Sequence, residues 1–220
     1  MSRAFDYIDE IAESCNAAVF DMDGTLLDSM YVWRNVASDY LHSFGITPEE
    51  NLNEILFPKS MIQVADYLNV HYRLNKTAES VLDEIVASVA AEYRNVVKAK
   101  VGVAGFLKGL RQRNVKCAVA TAGDRRVAMS ALKRNGLLDF FQAVFTCGEL
   151  GTSKDEPVIF SHASSFLESL PCRTVVFEDG LVPAKTATAA GFTVAGIYDE
   201  DSRNHADEMK KICKYYFDEW

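Results

Sequence analysis

Ala18-Val19-Phe20-Asp21-Met22-Asp23-Gly24-Thr25-Leu26-Leu27-Asp28-Ser29 ends an apolar run with two carboxylates two residues apart and follows them with a glycine and a hydroxyl. In a strand, residues i and i+2 face the same side, so Asp21 and Asp23 share one site if the strand continues through them. Gly24 points to a sharp turn instead, which brings backbone N–H groups close to an anion. Offset by such a turn, one carboxylate can attack a phosphorus atom while the other handles a leaving-group proton and an attacking water. The stretch reads as phosphoryl-transfer chemistry.

Three later stretches suit the same chemistry. Lys116-Cys117-Ala118-Val119-Ala120-Thr121-Ala122-Gly123 is a strand pattern ending in a hydroxyl and a small pair. Lys154 opens Lys-Asp-Glu-Pro-Val-Ile-Phe, and a fixed ammonium offsets the charge that builds on a transferring phosphoryl in a partly dehydrated site. Arg173-Thr174-Val175-Val176-Phe177-Glu178-Asp179-Gly180 is a second apolar strand ended by two carboxylates. Carboxylates with a backbone carbonyl, waters and a substrate phosphate are hard oxygen ligands of the kind octahedral Mg²⁺ takes.

Together these residues resemble the haloacid dehalogenase superfamily, and within it the β-phosphoglucomutase-like phosphatases and mutases that carry a helical cap. The first stretch has the form DxDGTLxDS. The lysine stretch is similar to KPxPDIF, with Asp155 for the first proline and Val158 for the aspartate. The last is similar to VFEDS, with Gly180 for the serine and Pro183 for the glycine usual three residues later. The resemblance implies that Asp21 attacks phosphorus to give an aspartyl phosphate, and that Asp23 protonates the leaving oxygen and then activates water. It also implies that Thr25, Thr121 and the backbone of Ala122 orient the phosphoryl and that Lys154 neutralises charge. Asp21, the carbonyl of Asp23 and Asp179 are the implied Mg²⁺ ligands. For Glu178, direct ligation, ligation through water and support of the neighbouring backbone stay open.

The expected function is Mg²⁺-dependent hydrolysis of a small phosphomonoester metabolite. A sugar-phosphate mutase is the first alternative, but Thr25 stands where the similar mutase has valine, and Trp33 where it has a histidine. Asp23 counts against the dehalogenases and phosphonate hydrolases, which lack that carboxylate. A phosphoacceptor signalling module is the alternative from another class, opposed by Asp23, which has no task where no leaving group needs a proton, and by the insertion described below. A catalytically silent binding protein on the same fold is the third.

At 220 residues, with 49% hydrophobic and 25% charged residues, the chain suffices for one sizeable core and a satellite unit. Its formal charge of −8 argues against a nucleic-acid or anionic-membrane partner. Five scattered cysteines without zinc-type spacing fit a reducing cytoplasm, and Cys117, inside a strand pattern, reads as a small apolar residue. The four histidines form no ligand pattern. Acidic residues at 6, 9, 10 and 13 interrupt any apolar core of a secretory signal, and no run approaches bilayer-spanning length. Oligomeric state is not legible.

Apolar runs at 17–20, 115–121, 143–146, 174–177 and 193–197 read as strands, separated mostly by helical patterns, and predict a doubly wound, mostly parallel α/β core. The exception is a long helical region after the first strand, far beyond an ordinary crossover. Trp33, Ala37, Tyr40, Leu41 and Phe44 form one stripe, and Val81, Leu82, Ile85, Val86, Val89 and Tyr93 another. Capping boxes are expected at Thr47 and Ser60. The expected organisation is a core of 1–27 and 99–220 with a helical cap of 28–98 that closes over the phosphate and selects the substrate. Lys59, between the two capping boxes, is the candidate specificity residue of that cap.

Overall fold

The computed structural model describes residues 3–56, 59 and 61–220. The chain divides into two compact units, Met1–Asp28 with Val97–Trp220 and Ser29–Val96.

The first unit carries β1 (Ala17–Phe20), β2 (Leu27–Asp28), β3 (Lys98–Ala99), β4 (Lys116–Thr121), β5 (Ala143–Thr146), β6 (Thr174–Glu178), β7 (Thr193–Ile197) and β8 (Tyr215–Phe217). Six of these form one sheet in the order β5-β4-β1-β6-β7-β8, every pairing parallel. The chain runs outward from β1 to β4 and β5 on one side, then to β6, β7 and β8 on the other. β1 therefore lies at the point where strand order reverses, and the crevice beyond its carboxyl end is where open α/β sheets bind ligands. The central strands are apolar on both faces because helices cover both, as parallel sheets require. Strands 17–20, 143–146 and 193–197 match the expected runs, β4 starts one residue later than expected, and β6 extends one further to Glu178. The edge strand β8 was not among the expected strands.

Side chains alternate across the sheet. Ala17 and Val19 of β1, Ala118 and Ala120 of β4 and Val176 of β6 pack in one buried cluster with residues of two helices given below. On the opposite face Phe20 and Phe177 stack with centroids 4.5 Å apart and planes 5° apart. Phe106 and Trp220 pack edgewise or tilted against Phe177 at 5.4 Å each. Such pairs add about 0.5–1.5 kcal/mol each beyond the area they bury. Helix α1 (Ile8–Ser14) precedes β1.

The second unit is helical: α2 (Met30–His42), α3 (Leu52–Leu56), α4 (Met61–His71) and α5 (Ala78–Asn95). Its core joins Ala37, Tyr40, Leu41, Leu52, Val64, Leu68, Val81 and Ile85. Three members of the expected stripes lie further out, with Trp33 39%, Phe44 44% and Val86 50% exposed. Trp33 nonetheless donates its indole N–H to the Tyr93 hydroxyl at 2.8 Å. The capping box expected at Thr47, with Glu50 as its acidic partner, is not formed, because the helix begins only at Leu52. The preceding residue, Glu49, accepts the Tyr67 hydroxyl on its carboxylate at 2.8 Å and donates its N–H to the Tyr72 hydroxyl at 3.2 Å. The box expected at Ser60 lies outside the described residues. Thr77 caps α5 by accepting from Ser80 N–H at 3.2 Å.

The chain leaves the first unit along β2 and returns along β3, which pair antiparallel, Leu27 with Ala99 and Asp28 with Lys98. Then follow α6 (Val103–Gln112), α7 (Arg125–Arg134), α8 (Cys147–Leu150), α9 (Val158–Phe166), α10 (Leu181–Ala189) and α11 (Ala206–Ile212). Ile159, Phe160 and Ala163 of α9 and Ala184 and Ala187 of α10 belong to the cluster that contains Ala17 and Val19. Among the described residues no helix is long and apolar enough to cross a membrane.

Candidate active site

Adjacent parallel strands end together, so β1, β4 and β6 bring Asp21, Thr121 and Glu178-Asp179 to one edge of the sheet. Asp21 extends the β1 pairing by one residue, its N–H donating to Phe177 O at 3.0 Å. The chain then turns tightly: Leu26 and Leu27 N–H both donate to Met22 O, at 3.0 and 2.9 Å, and Gly24 N–H donates to Leu27 O at 3.0 Å. Gly24 is required twice over. Its φ is +80°, a left-handed conformation, and a Cβ there would lie 2.5 Å from Asp179 Oδ2.

Lys154 lies in the turn before α9, and its Nζ donates to Asp21 Oδ1 and, at 2.6 Å, to Glu178 Oε1. Side-chain exposures are 11% for Lys154, 7% for Asp21 and 2% for Glu178, so water screens these charges little. Burial opposes the ammonium charge, but Asp21 and Glu178 outweigh it and hold Lys154 protonated well above its ordinary range. Burial pushes Glu178 upward, with Lys154 opposing and Asp21 reinforcing the shift. Asp179 is also raised, first by burial and then by the negative charges of Asp21, Glu178 and Asp199, with Lys100 partly offsetting them.

Asp21 Oδ2 is buried without a hydrogen-bond partner. Asp21, Glu178 and Asp179 each offer a carboxylate oxygen, all within 4.8 Å of one another. Three buried carboxylates against one ammonium, with an orphaned oxygen among them, are a donor set that fits a hard divalent cation.

The other expected residues are placed as follows. Asp23, partly buried, sits on the turn with Gly24, and its Oδ2 would be 3.7 Å from a Cβ built on Gly123. Thr121 is fully buried, and its Oγ1 accepts from Gly123 N–H at 3.0 Å, which leaves the hydroxyl proton to be directed elsewhere; Ala122 is exposed. Thr25, expected to orient a phosphoryl, is fully buried and its hydroxyl donates to Asp179 Oδ1 at 3.2 Å. Lys59 belongs to the second unit, where its ammonium lies 5.7 Å from the Tyr67 ring centroid. There it lines a cavity of about 610 Å³ with Gln63, Asp66, Tyr67 and His71. Cys117 is buried in β4, its thiol pushed up to about 12 by burial, which fits the apolar reading.

The departures in the last stretch explain each other. A Cβ on Gly180 would lie 2.9 Å from Pro183 Cγ, so glycine makes room for the proline ring. Pro183 in turn sits in the first turn of α10, where its missing N–H costs nothing. Two contributions were not read from the sequence. Lys100 pairs with Asp199 Oδ2 at 2.8 Å and donates to Tyr198 O at 2.9 Å, both side chains largely buried. Their only signal was a carboxylate just past the end of β7. The other is Trp220, taken up below.

The family model for haloacid dehalogenase-like hydrolases matches residues 18–197, a span that includes Asp21, Lys154, Glu178 and Asp179, and the chain belongs to that family. A phosphoglycolate phosphatase of Rhodobacter capsulatus is 30% identical over 209 residues, 91% of this chain and 92% of its own. A validoxylamine A 7'-phosphate phosphatase of Streptomyces hygroscopicus subsp. limoneus is 29% identical over 203 residues, 88% of this chain and 92% of its own. The crystal structure of a HAD family hydrolase from Deinococcus radiodurans R1 superposes with a TM-score of 0.71 at 22% identity, covering 93% of this chain and 91% of that one. Within its family, the chain is a phosphoric monoester hydrolase.

Proposed function

We propose that the chain is a Mg²⁺-dependent phosphatase of a small phosphorylated metabolite that works through an aspartyl phosphate on Asp21. The observation that carries this reading is the buried, unpartnered Asp21 Oδ2 beside Lys154, Glu178 and Asp179. In the first half-reaction an Asp21 oxygen bonds to phosphorus as the bond to the ester oxygen breaks, and Asp23 gives that oxygen its proton. In the second, Asp23 takes a proton from water as the water oxygen bonds to phosphorus, releasing inorganic phosphate and restoring the Asp21 carboxylate. Lys154 offsets the charge developing at Asp21 and the phosphoryl. The Thr121 hydroxyl and the Ala122 N–H direct phosphoryl oxygens, and Thr25 holds the Asp179 carboxylate. Mg²⁺, held by Asp21, the Asp23 carbonyl and Asp179 with Glu178 bound directly or through water, would supply Lewis-acid neutralisation of the phosphoryl. Five cysteines without a disulfide suit work in a reducing cytoplasm.

The test is phosphate release from a panel of sugar phosphates, polyol phosphates, nucleotides and phosphoglycolate, with Mg²⁺ and with a chelator. Multiple turnover of one class, lost on chelation, is expected. No turnover across the panel, or turnover indifferent to chelation, would overturn the proposal.

Asp179→Asn is expected to raise the Mg²⁺ concentration needed for half-maximal rate by about tenfold or more, since an anionic ligand is lost. Glu178→Gln is expected to raise it less, because Glu178 is also engaged by Lys154. The two variants are titrated side by side, and an unaltered requirement in Asp179→Asn removes that residue from the metal shell.

Lys59 is proposed as a selector of the part of the substrate that is not phosphate, supported by its place with Tyr67 and His71 on one cavity. Lys59→Ala is expected to lower kcat/KM for the physiological ester by about tenfold while sparing a small aryl phosphate. A uniform loss with both esters, or none, contradicts the assignment.

A further inference from the structure

Trp220 lies beneath the strand ends rather than among the groups named so far. It is 7% exposed, and its ring packs with centroids 6.1 Å from Phe20, 5.4 Å from Phe177 and 5.1 Å from Phe106. Phe20 immediately precedes Asp21, and Phe177 immediately precedes Glu178. The indole thus braces the last apolar residue of both carboxylate-bearing strands. Its N–H is also committed: Nε1 donates to the Thr25 carbonyl at 3.1 Å in a buried hydrogen bond. The Thr25 hydroxyl donates in turn to Asp179 Oδ1 at 3.2 Å. Two hydrogen bonds therefore connect Trp220 through a single residue to a carboxylate of the acidic cluster.

The neighbouring backbone makes room for the main chain and Cβ of Trp220. Gly102, just after β3, has φ +96°, and a Cβ there would lie 2.9 Å from Trp220 Cβ and 3.1 Å from its carbonyl oxygen. Any larger residue there would require Trp220 or the Gly102 backbone to shift. A side chain present only to fill space needs the ring and not the donor, since Phe20, Phe106 and Phe177 already supply an apolar wall. A buried indole N–H aimed at the loop behind the nucleophile fixes the position of that loop.

We infer that Trp220 is a positioning residue for the metal-binding carboxylate, acting through Thr25 on Asp179, an inference that rests on the proposed Mg²⁺-dependent reaction. It touches neither substrate nor metal. Its effect falls on how well Asp179 is preorganised, and so on metal affinity and kcat more than on KM for the ester.

The experiment compares the wild-type chain with Trp220→Phe, Thr25→Val and the double variant. Trp220→Phe keeps the ring and removes the N–H donor. It is expected to raise the half-saturating Mg²⁺ concentration and lower kcat, each by about fivefold, the value of one neutral hydrogen bond. KM at saturating Mg²⁺ and the unfolding temperature are expected to stay close to wild type. Thr25→Val acts on the same connection, so the double variant is expected to fall well short of the product of the single effects. A readout independent of turnover uses Trp33→Phe, which leaves Trp220 as the sole tryptophan of the chain. Its emission is expected to change on titration with Mg²⁺ alone, and Thr25→Val in that background is expected to move the half-point upward about fivefold. A lowered unfolding temperature with a wild-type Mg²⁺ requirement in Trp220→Phe, or fully multiplicative effects in the double variant, would overturn the inference and leave packing as the role of Trp220. Absence of Mg²⁺-dependent turnover in the wild-type chain would instead overturn the functional proposal on which the inference stands.

Discussion

Asp21→Asn is expected to abolish turnover, by a factor on the order of 10⁴ or more, while Asp23→Asn fails in a different way. The two side chains sit two residues apart but in different surroundings. Asp21 is buried with Lys154 on one oxygen and nothing on the other, and Asp23 is partly exposed on the turn. Asparagine at 21 removes the atom that bonds to phosphorus, so no ester forms whatever its leaving group. Asparagine at 23 removes the proton donor and base. An aryl phosphate, whose leaving oxygen needs no proton, can still load Asp21, and the loaded enzyme then accumulates because water is not activated. Acid-quench trapping with a labelled aryl phosphate is expected to recover phosphoenzyme from Asp23→Asn and none from Asp21→Asn. Equal and mild losses in both variants with every substrate would contradict the division of roles.

Lys154→Met carries the second large effect, and it falls on stability as well as rate. The ammonium is the one cation in contact with Asp21 and Glu178 among the described hydrogen bonds and ion pairs, and all three side chains are at least nearly nine-tenths buried. Removing one partner of a buried ion pair leaves the other charge without compensation, a loss of about 3–5 kcal/mol. The expected loss in kcat is about 10²- to 10³-fold, the range for removing one preorganised charge stabiliser. Urea unfolding of the variant checks the first figure. Adding Glu178→Gln to Lys154→Met is expected to recover part of the stability, since it deletes one of the stranded charges. Unfolding at the wild-type urea concentration would show that the contact is not maintained in solution.

The parts of this molecule that were legible in its sequence are those where neighbours along the chain carry the signal. β1 and β6 read as buried strands because Ala17–Phe20 and Val175–Phe177 run apolar up to the carboxylates that follow them, and Gly24 announced its turn because glycine takes a φ of +80° at low cost. The spacing of Asp21 and Asp23 and the pair Glu178-Asp179 are local too. What stayed hidden is set by distant partners. Nothing near Trp220 indicates that it reaches Thr25, 195 residues away in the chain. Lys100 and Asp199 are a lysine and an aspartate among many until the fold pairs them. The capping box at Thr47 failed although its local pattern is present, because the helix it announces begins only at Leu52. Thr25 was recognised as a site residue, and only the three-dimensional arrangement shows that its hydroxyl serves a carboxylate.

The pairing of Gly180 with Pro183 also sets an order on how this loop can diverge. A serine at 180, as in the pattern it resembles, places a Cβ 2.9 Å from the proline ring, so the ring must shift to admit it while Pro183 is present. Exchanging Pro183 first clears the space and makes the change at 180 tolerable afterwards. The two positions are therefore coupled, and the effect of a side chain at 180 depends on whether the ring at 183 is still beside Glu178.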